Sequence, residues 1–128
     1  MRKFYHRLFL FVILIVLFSE GLKAQTIIPV DLSANPDTTW SVTNISRGEP
    51  DCVGAGSNCI KFNVTVNSQS AHIGFNVATP APPGGATYQL DCGTPTSLGT
   101  PLCISGLTTF SILFCKSGND QPTYTIAA

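Results

Sequence analysis

The sequence is poor in charged side chains and in histidine. Only 11% of its 128 residues are Asp, Glu, Lys or Arg, and the formal net charge is zero. Beyond residue 24, no lysine- and arginine-rich stretch is present, which argues against nucleic acid and anionic membrane as partners, because both attract basic surfaces. His72 is the only histidine after residue 24, and neither a Cys-x-x-Cys pair nor an Asp-x-Asp-x-Asp series occurs. These absences disfavour zinc and calcium sites, and no cofactor is predicted.

Long apolar runs are equally scarce. The continuous apolar run over residues 8–18 is shorter than the roughly 20 residues that span a bilayer. It follows a basic segment, residues 2–7, and precedes the small residue Ala24, which is typical of a secretory signal peptide. We therefore predict a signal peptide over residues 1–24 and one domain over residues 25–128. The predicted location is secreted or cell-surface, with no membrane span after cleavage.

Alternation of apolar and polar residues dominates the rest of the chain. Residues 59–79 form two alternating stretches joined by a short polar segment, residues 67–70, and we interpret them as a β-hairpin. A slip of one residue would turn a whole apolar row toward water, so the register is strongly specified. The predicted pairs, all pointing into the core, are Ile60 with Val77, Phe62 with Phe75, Val64 with Ile73, and Val66 with Ala71.

Six further stretches have strand character, two of them weaker. They cover residues 27–30, 38–45, 86–92, 102–107, 108–115 and 123–127. The proline- and glycine-rich residues 79–85 are a natural crossover between sheets. Alternation places Trp40, Tyr88 and Tyr124 in the core rather than on a sugar-stacking platform. The prediction is an all-β fold, an immunoglobulin-like antiparallel β-sandwich of seven to eight strands.

All five cysteines lie beyond the signal peptide, and this density in an exported chain predicts disulfides. Sequence alone leaves many pairings open. Cys92 and Cys103 flank a turn-rich loop whose closure would contribute ~3 kcal/mol, and Cys52 and Cys59 flank a second flexible loop. We predict these two bridges. Cys115 alternates with the residues of its strand that are predicted to face the core, such as Phe114, so we predict that it faces outward as an unpaired thiol.

Groups suited to catalysis are few. His72 alternates out of its apolar row, and a Cys–His dyad would need a free thiolate beside it. Glu49 and Asp51 flank Pro50 in a loop, and we interpret them as two solvated carboxylates rather than as an acid–base pair. Residues 25–128 hold three basic and six acidic side chains, a net charge of −3. We predict a non-enzymatic protein, with a small secreted hydrolase that uses His72 as the weakest alternative.

Several short motifs are distributed over most of residues 40–128. They are Asp51-Cys52 and the segments 58–62, 82–85, 91–95, 102–106 and 114–119. In this succession the chain resembles a cysteine-containing β module found near the N-termini of large surface proteins of Bacteroidota, many of which carry gliding-motility-associated or type IX secretion sorting domains.

The resemblance implies an exported, envelope-associated module in adhesion or surface assembly, and it carries no catalytic residues. The family often has a cysteine pair where this chain has Cys52 alone, which would explain the odd cysteine count. The sorting domain is absent from this sequence. The expectation is therefore either a stand-alone copy or the front piece of a longer chain with further domains.

The predicted function is a secreted or cell-surface binding or adhesion module that contacts an extracellular protein or glycan. The alternative is a structural spacer domain of a longer surface protein. The outward rows of the two central strands are small and polar, so they offer little apolar anchor for a tight complex. Recognition is expected on loops 46–58 and 93–101. The candidate binding residues are Arg47, Glu49, Asp51 and Thr96.

Overall fold

The chain folds into two β-sheets packed face to face, with no helix in the described residues. The computed structural model describes residues 24–49, 52, 58–78, 86–116, 118 and 120–128. The strands are β1 (Thr26–Leu32), β2 (Thr39–Val42), β3 (Cys59–Val66), β4 (His72–Ala78), β5 (Thr87–Leu90), β6 (Thr96–Ser97), β7 (Leu102–Cys103), β8 (Thr109–Cys115) and β9 (Thr123–Ala127). Residues 1–23 of the predicted signal peptide and the predicted crossover, residues 79–85, lie outside the described residues.

Sheet 1 has the strand order β1-β3-β8-β5-β6, and sheet 2 has the order β2-β9-β4-β7. The predicted all-β sandwich is confirmed, and seven of the described strands have four or more residues. The prediction of purely antiparallel pairing is wrong for β1, which runs parallel to β3. The parallel pairing is possible because the chain passes through sheet 2 at β2 before it returns beside β1. Alternation does not reveal it, because side chains alternate in the same way in parallel and antiparallel strands. The immunoglobulin-like assignment stays a prediction, since several architectures share two packed sheets.

Aromatic rings from both sheets fill the centre of the sandwich. Phe62 and Phe114 of sheet 1 and Phe75 and Tyr124 of sheet 2 are fully buried. The Phe62 ring lies 5.6 Å from Phe75 and 5.4 Å from Tyr124, and Phe75 lies 5.6 Å from Phe114. Burying each such side chain contributes about 1.5–3 kcal/mol. The inward alternation predicted from the sequence therefore describes the real core.

The other two aromatic residues predicted in the core also lie there. Trp40 is half-buried, and its ring packs edge-on against Phe62 at 5.8 Å. Tyr88 is fully buried, and its hydroxyl donates a hydrogen bond to the Thr100 carbonyl at 2.8 Å. This bond satisfies the polar end of the ring, which allows the whole side chain to leave water.

The predicted hairpin of residues 59–79 is wrong. β3 and β4 are both present, but β3 pairs with strands of sheet 1 and β4 with strands of sheet 2. The segment between them crosses from one sheet to the other. Both apolar rows still face the core, so Phe62 meets Phe75 across the sandwich rather than along one sheet. Ala71, which was predicted to face Val66, is exposed. Alternation fixes which side of a strand is dry, but it does not distinguish these two arrangements.

Hydrogen bonds hold the crossing between β3 and β4 against the loop that joins β1 to β2. The Ser70 hydroxyl donates to the Pro36 carbonyl at 3.0 Å, and the Asn67 side-chain amide donates to the Ser33 carbonyl at 2.9 Å. The Ser70 N–H bonds the Asn67 carbonyl at 3.0 Å, which closes the turn. Ser70 is buried, so its hydroxyl needs the partner it has.

Cys59 and Cys115 form a disulfide between neighbouring strands. They are direct partners in the β3–β8 register, with Cα atoms 4.0 Å apart. The N–H and C=O of Cys59 both bond Gly48 at 2.7 Å, so Cys59 and Cys115 form a non-hydrogen-bonded pair, where antiparallel strands come closest. Cys115 packs in a cluster apart from the main core, as its predicted outward parity requires. The prediction that it is unpaired is wrong, because Cys59 has the same parity on the adjacent strand.

The second disulfide joins Cys52 to Cys92, with Cα atoms 5.3 Å apart. Cys92 lies in a tight turn after β5. Asp91 and Cys92 have positive φ angles of 45° and 57°, and the Gly93 N–H bonds the Leu90 carbonyl at 2.7 Å. These features define a type I′-like turn. The bridge therefore ties the loop that precedes β3 to the far end of β5.

The predicted bridges Cys92–Cys103 and Cys52–Cys59 are both wrong. Cys92 follows β5 of sheet 1, whereas Cys103 lies on β7 at the edge of sheet 2. Cys103 is exposed and is the free cysteine of the chain. Cys52 packs beside Cys59 over the buried side chain of Leu113 on the outer face of sheet 1, but Cys59 is already bonded. Strand pairing decides the connectivity, and loop length between cysteines does not.

Candidate functional site

Arg47, which the sequence places in a candidate binding loop, is held at one end of the sandwich. Its neighbour Gly48 pairs with Cys59 at the start of β3, so Gly48 extends sheet 1 by one bridge at that end. Position 48 has no room for any side chain larger than that of glycine. A Cβ there would lie 2.9 Å from the Thr26 backbone nitrogen and closer still to the Ala24 carbonyl oxygen. The segment that precedes β1 thus packs closely against Gly48, and this contact fixes the position of the backbone at the neighbouring Arg47.

The Arg47 guanidinium binds three groups near the start of β9. It donates to the Tyr124 hydroxyl at 3.1 Å, to the Gly118 carbonyl at 2.8 Å and to Asp120 Oδ1 at 3.0 Å. Its side chain is only 2% exposed, whereas that of Asp120 is 27% exposed. Lys116 Nζ bonds the other oxygen of the same carboxylate, Asp120 Oδ2. One carboxylate therefore serves two cations.

The charges of this group shift its pKa values. The hydrogen bond from Lys116, and then that from Arg47, hold the pKa of Asp120 below its usual value. Burial alone would lower the pKa of Arg47, but its bonds to Tyr124 and Asp120 raise it overall. Burial raises the pKa of Tyr124, and the bond from Arg47 offsets part of that rise. The Asp120 carboxylate and the Arg47 guanidinium are therefore ionised at neutral pH. Counted by formal charge, Arg47 and Lys116 against Asp120 give the cluster a net charge of +1.

A polar pocket of about 210 Å³ opens beside these groups, and we call it the Arg47 pocket. Its described lining consists of Ser46, Arg47, Asn58, Gly118, Asp120 and Gln121. The Asn58 amide lies 3.5 Å from the Gly118 carbonyl, and the Gln121 amide lies 3.4 Å from the Ser46 hydroxyl. Both contacts are long, so these side chains are weakly held. The pocket therefore offers hydrogen-bonding groups that a ligand can use.

One donor of the Arg47 side chain has no partner among the residues that the structure describes. Among the described residues, no acceptor bonds the Nε–H of Arg47, although the atom is buried. A buried donor left unpaired costs about 1–3 kcal/mol, and more when the group is charged. Native structures rarely leave such a group without a protein, water or ligand partner. Arg47 thus has a buried charged donor without an acceptor among the described residues, and it lines a pocket that has room for one.

The other candidate residues do not gather here. Glu49 is exposed two positions after Arg47, and Asp51 lies outside the described residues. Thr96 is half-buried on β6, with β8 and β5 between it and β3. At about 4.8 Å per strand this separation is about 14 Å. The structure therefore places Arg47 in the lining of a pocket and Thr96 away from it.

The groups that complete the Arg47 pocket were missed in the sequence. Gly118, Asp120 and Gln121 lie about seventy residues along the chain from Arg47, and a Lys116–Asp120 spacing alone is common on protein surfaces. The disulfide Cys59–Cys115 is the signal that would have found them. It brings the residues that follow Cys115 next to those that precede Cys59, and the Lys116 N–H bonds the Asn58 carbonyl at 3.3 Å.

His72 and Cys103 lie together on the opposite sheet. They are register partners on β4 and β7, and both are exposed. The Cys103 thiol contacts the Ser105 hydroxyl at 3.2 Å, and this contact lowers the pKa of the thiol. Within the described residues, no group of three or more His, Cys, Asp or Glu side chains is placed to hold a metal ion.

Fold and pocket together define a disulfide-bonded β-sandwich with a polar, cationic pocket at one end. Two disulfides indicate an oxidising, extracellular environment. None of the described residues forms a helix with the length and apolar character that crossing a bilayer requires. Comparison with protein-family models, with curated proteins and with solved structures finds no match to this chain.

Proposed function

We propose that this protein is a secreted or cell-surface, non-enzymatic binding module that recognises an extracellular protein or glycan through the Arg47 pocket. The observation that carries the proposal is the buried guanidinium of Arg47, which lines a polar pocket and has an unpaired N–H. The signal-peptide pattern, the two disulfides and the sequence resemblance to bacterial surface modules support export and surface display.

The surroundings of the pocket favour binding over a purely structural role. Asn58 of the lining precedes one half of the Cys59–Cys115 bridge, and Lys116, which binds Asp120 of the lining, follows the other half, so the covalent link joins two segments that carry pocket residues. A site that is ordered before binding loses less conformational entropy when the ligand arrives. Recognition residues carried by loops on a rigid sandwich are a common arrangement in binding domains.

Glycan and matrix-protein arrays test the proposal. The full chain, exported through an oxidising pathway with its leader, is applied as wild type and as the double variant Ser46→Ala/Gln121→Ala. We expect binding by the wild type and loss of binding by the double variant. Binding that survives this change but is abolished by Asn63→Ala or His72→Ala would place recognition on the sheet faces. If the wild type binds nothing on either array, the result would contradict the proposal and favour the structural spacer.

A second candidate, a small secreted hydrolase, is favoured by the register that sets His72 beside the free thiol of Cys103. A thiol nucleophile needs a base within hydrogen-bond reach. Hydrolysis of a chromogenic ester by the wild type, lost in both Cys103→Ala and His72→Ala, would support this candidate. Turnover that is unchanged in either variant would reject it.

A further inference from the structure

We propose that the Arg47 pocket binds the carboxylate of an acidic sugar residue, a uronate. This inference rests on the proposed function and names the ligand class for the same site. It follows from the hydrogen-bonding groups that the pocket leaves free, from its charge and from its size.

The acceptors around the guanidinium are already in use. The Gly118 carbonyl accepts from both Arg47 and Asn58, and the two oxygens of Asp120 accept from Arg47 and Lys116. Donors remain in excess. They include the Nε–H of Arg47, the second amide hydrogens of Asn58 and Gln121, and the Ser46 hydroxyl. A ligand that enters the pocket must therefore accept hydrogen bonds at its centre, as a carboxylate does.

Charge points to the same ligand. Arg47 and Lys116 are 2% and 12% exposed, and they share the single carboxylate of Asp120. A charged group withdrawn from water is costly unless it is paired. An incoming anion would balance the second cation and form charge-assisted hydrogen bonds, which are roughly twice as strong as neutral ones. A neutral ligand would leave this imbalance in place.

Size and lining distinguish a sugar from a peptide. The pocket of about 210 Å³ lies below the ~300–1,000 Å³ of sites for drug-sized ligands, so it accommodates a single residue. Away from the guanidinium, the described lining consists of hydroxyl, amide and backbone groups and of the Asp120 carboxylate, which is paired with Arg47 and Lys116, and it contains no apolar side chain. Amides both donate and accept, which matches the hydroxyls of a sugar ring. The terminal side chain of a peptide would meet no apolar side chain in the described lining.

Calorimetric titration of the exported full chain with monosaccharides tests the inference. The probes are glucuronate and galacturonate, their neutral counterparts glucose and galactose, and a short peptide with a free C-terminal carboxylate. We expect the uronates to bind at least about tenfold more tightly than the neutral sugars, a difference of ~1.4 kcal/mol. Raised salt should weaken uronate binding, because the interaction is between charges.

Matched variants locate the site. Ser46→Ala/Gln121→Ala should weaken uronate binding at least about tenfold. Ser68→Ala/Gln69→Ala removes the same two side-chain types from the exposed turn at the opposite end of β3 and should leave binding unchanged. Arg47→Lys keeps the charge and removes the Nε donor, and it should weaken binding if the variant folds. The double variant keeps the test decisive if it does not.

Each remaining outcome overturns the inference. Equal binding of neutral and acidic sugars would reject the carboxylate while leaving the binding proposal in place. Tighter binding of the peptide than of either uronate would make the partner a polypeptide terminus. Absence of uronate binding, in a chain that binds another ligand on the arrays, would reject this ligand class alone.

Discussion

Cys59 and Cys115 are joined across β3 and β8 at the edge of the Arg47 pocket, with their Cα atoms 4.0 Å apart. The bridge lies on the outer face of sheet 1, and both N–H and C=O of Cys59 are bonded to Gly48 on its other side. One residue therefore links three segments of the chain: the Arg47 loop, the start of β3 and the end of β8. The position of the pocket depends on this junction.

Removal of this bridge should be costly. It closes a separation of 56 residues, for which the chain-entropy relation gives about 4 kcal/mol. We expect Cys59→Ala/Cys115→Ala to lower the free energy of unfolding by about 2–4 kcal/mol in urea titrations. Peptide mapping without reduction should recover Cys59 linked to Cys115 and Cys52 linked to Cys92, with only Cys103 alkylated. A peptide that links Cys92 to Cys103 would contradict the structure.

Truncation of Phe62 should remove a large part of the aromatic contact between the sheets. Its ring lies within 5.8 Å of the rings of Trp40, Phe75 and Tyr124, and the side chain is fully buried. We expect Phe62→Ala to cost about 3–5 kcal/mol, measured by chemical denaturation. Leu107→Ala is the control, since Leu107 is 42% exposed and its truncation should change stability by less than about 0.5 kcal/mol. Comparable losses for the two variants would be inconsistent with this core.

The crossing between the sheets should depend on the Ser70 hydroxyl. Ser70→Ala leaves the Pro36 carbonyl without its side-chain donor, and a loss of about 1 kcal/mol is expected in thermal or urea unfolding. Ser68 lies two residues earlier in the same turn and is exposed, so Ser68→Ala should have no measurable effect. Equal effects of the two variants would argue that the turn is not docked on the β1–β2 loop.

Stability should fall in acid partly through Asp120. Its pKa in the folded state is below its ordinary value of 3.8, chiefly because of Lys116. A carboxylate with a lowered folded pKa stabilises the protein above the unfolded value, and that contribution is lost as pH falls through the folded pKa. We expect the Tm of wild type to exceed that of Asp120→Asn at neutral pH. The difference should shrink as pH falls below the ordinary carboxyl value of 3.8, and a constant difference would exclude this ion pair as its source.

Local patterns predicted the strands and their dry faces well. Residues 123–127 and 108–115 correspond to β9 and β8 within one residue, and the apolar row of β3 is buried throughout. Alternation succeeds because the side-chain period of a strand is two, whatever the strand pairs with. Pairing is a different matter. The hairpin prediction for residues 59–79 failed because a turn within a sheet and a crossing between sheets have the same local pattern.

The candidate site was predictable only in part. Arg47 was named because it lies in a loop, and it does line the pocket. Asp120 and Gln121 were missed because sequence distance hides the contact. The alternation of inward and outward positions also contains information about the disulfide. It placed Cys115 correctly on the outer side, and the same reasoning applied to Cys59 would have proposed the bridge that brings the two halves of the pocket together.

The strand order has a consequence for how the molecule is made. In the described residues, β5 and β6 are the one pair of strands that follow each other directly in the chain, and the remaining pairs join distant segments. Folds with such distant pairings assemble slowly, in milliseconds to seconds, because large loops must close before contacts reward them. Because the chain is synthesised from the N-terminus, Cys115, the partner of Cys59, is added 56 residues after it. Oxidation of Cys59 before that point can engage only the wrong thiols, so correct formation of this bridge requires that strand assembly precede the oxidation of Cys59 or that early bridges be reshuffled.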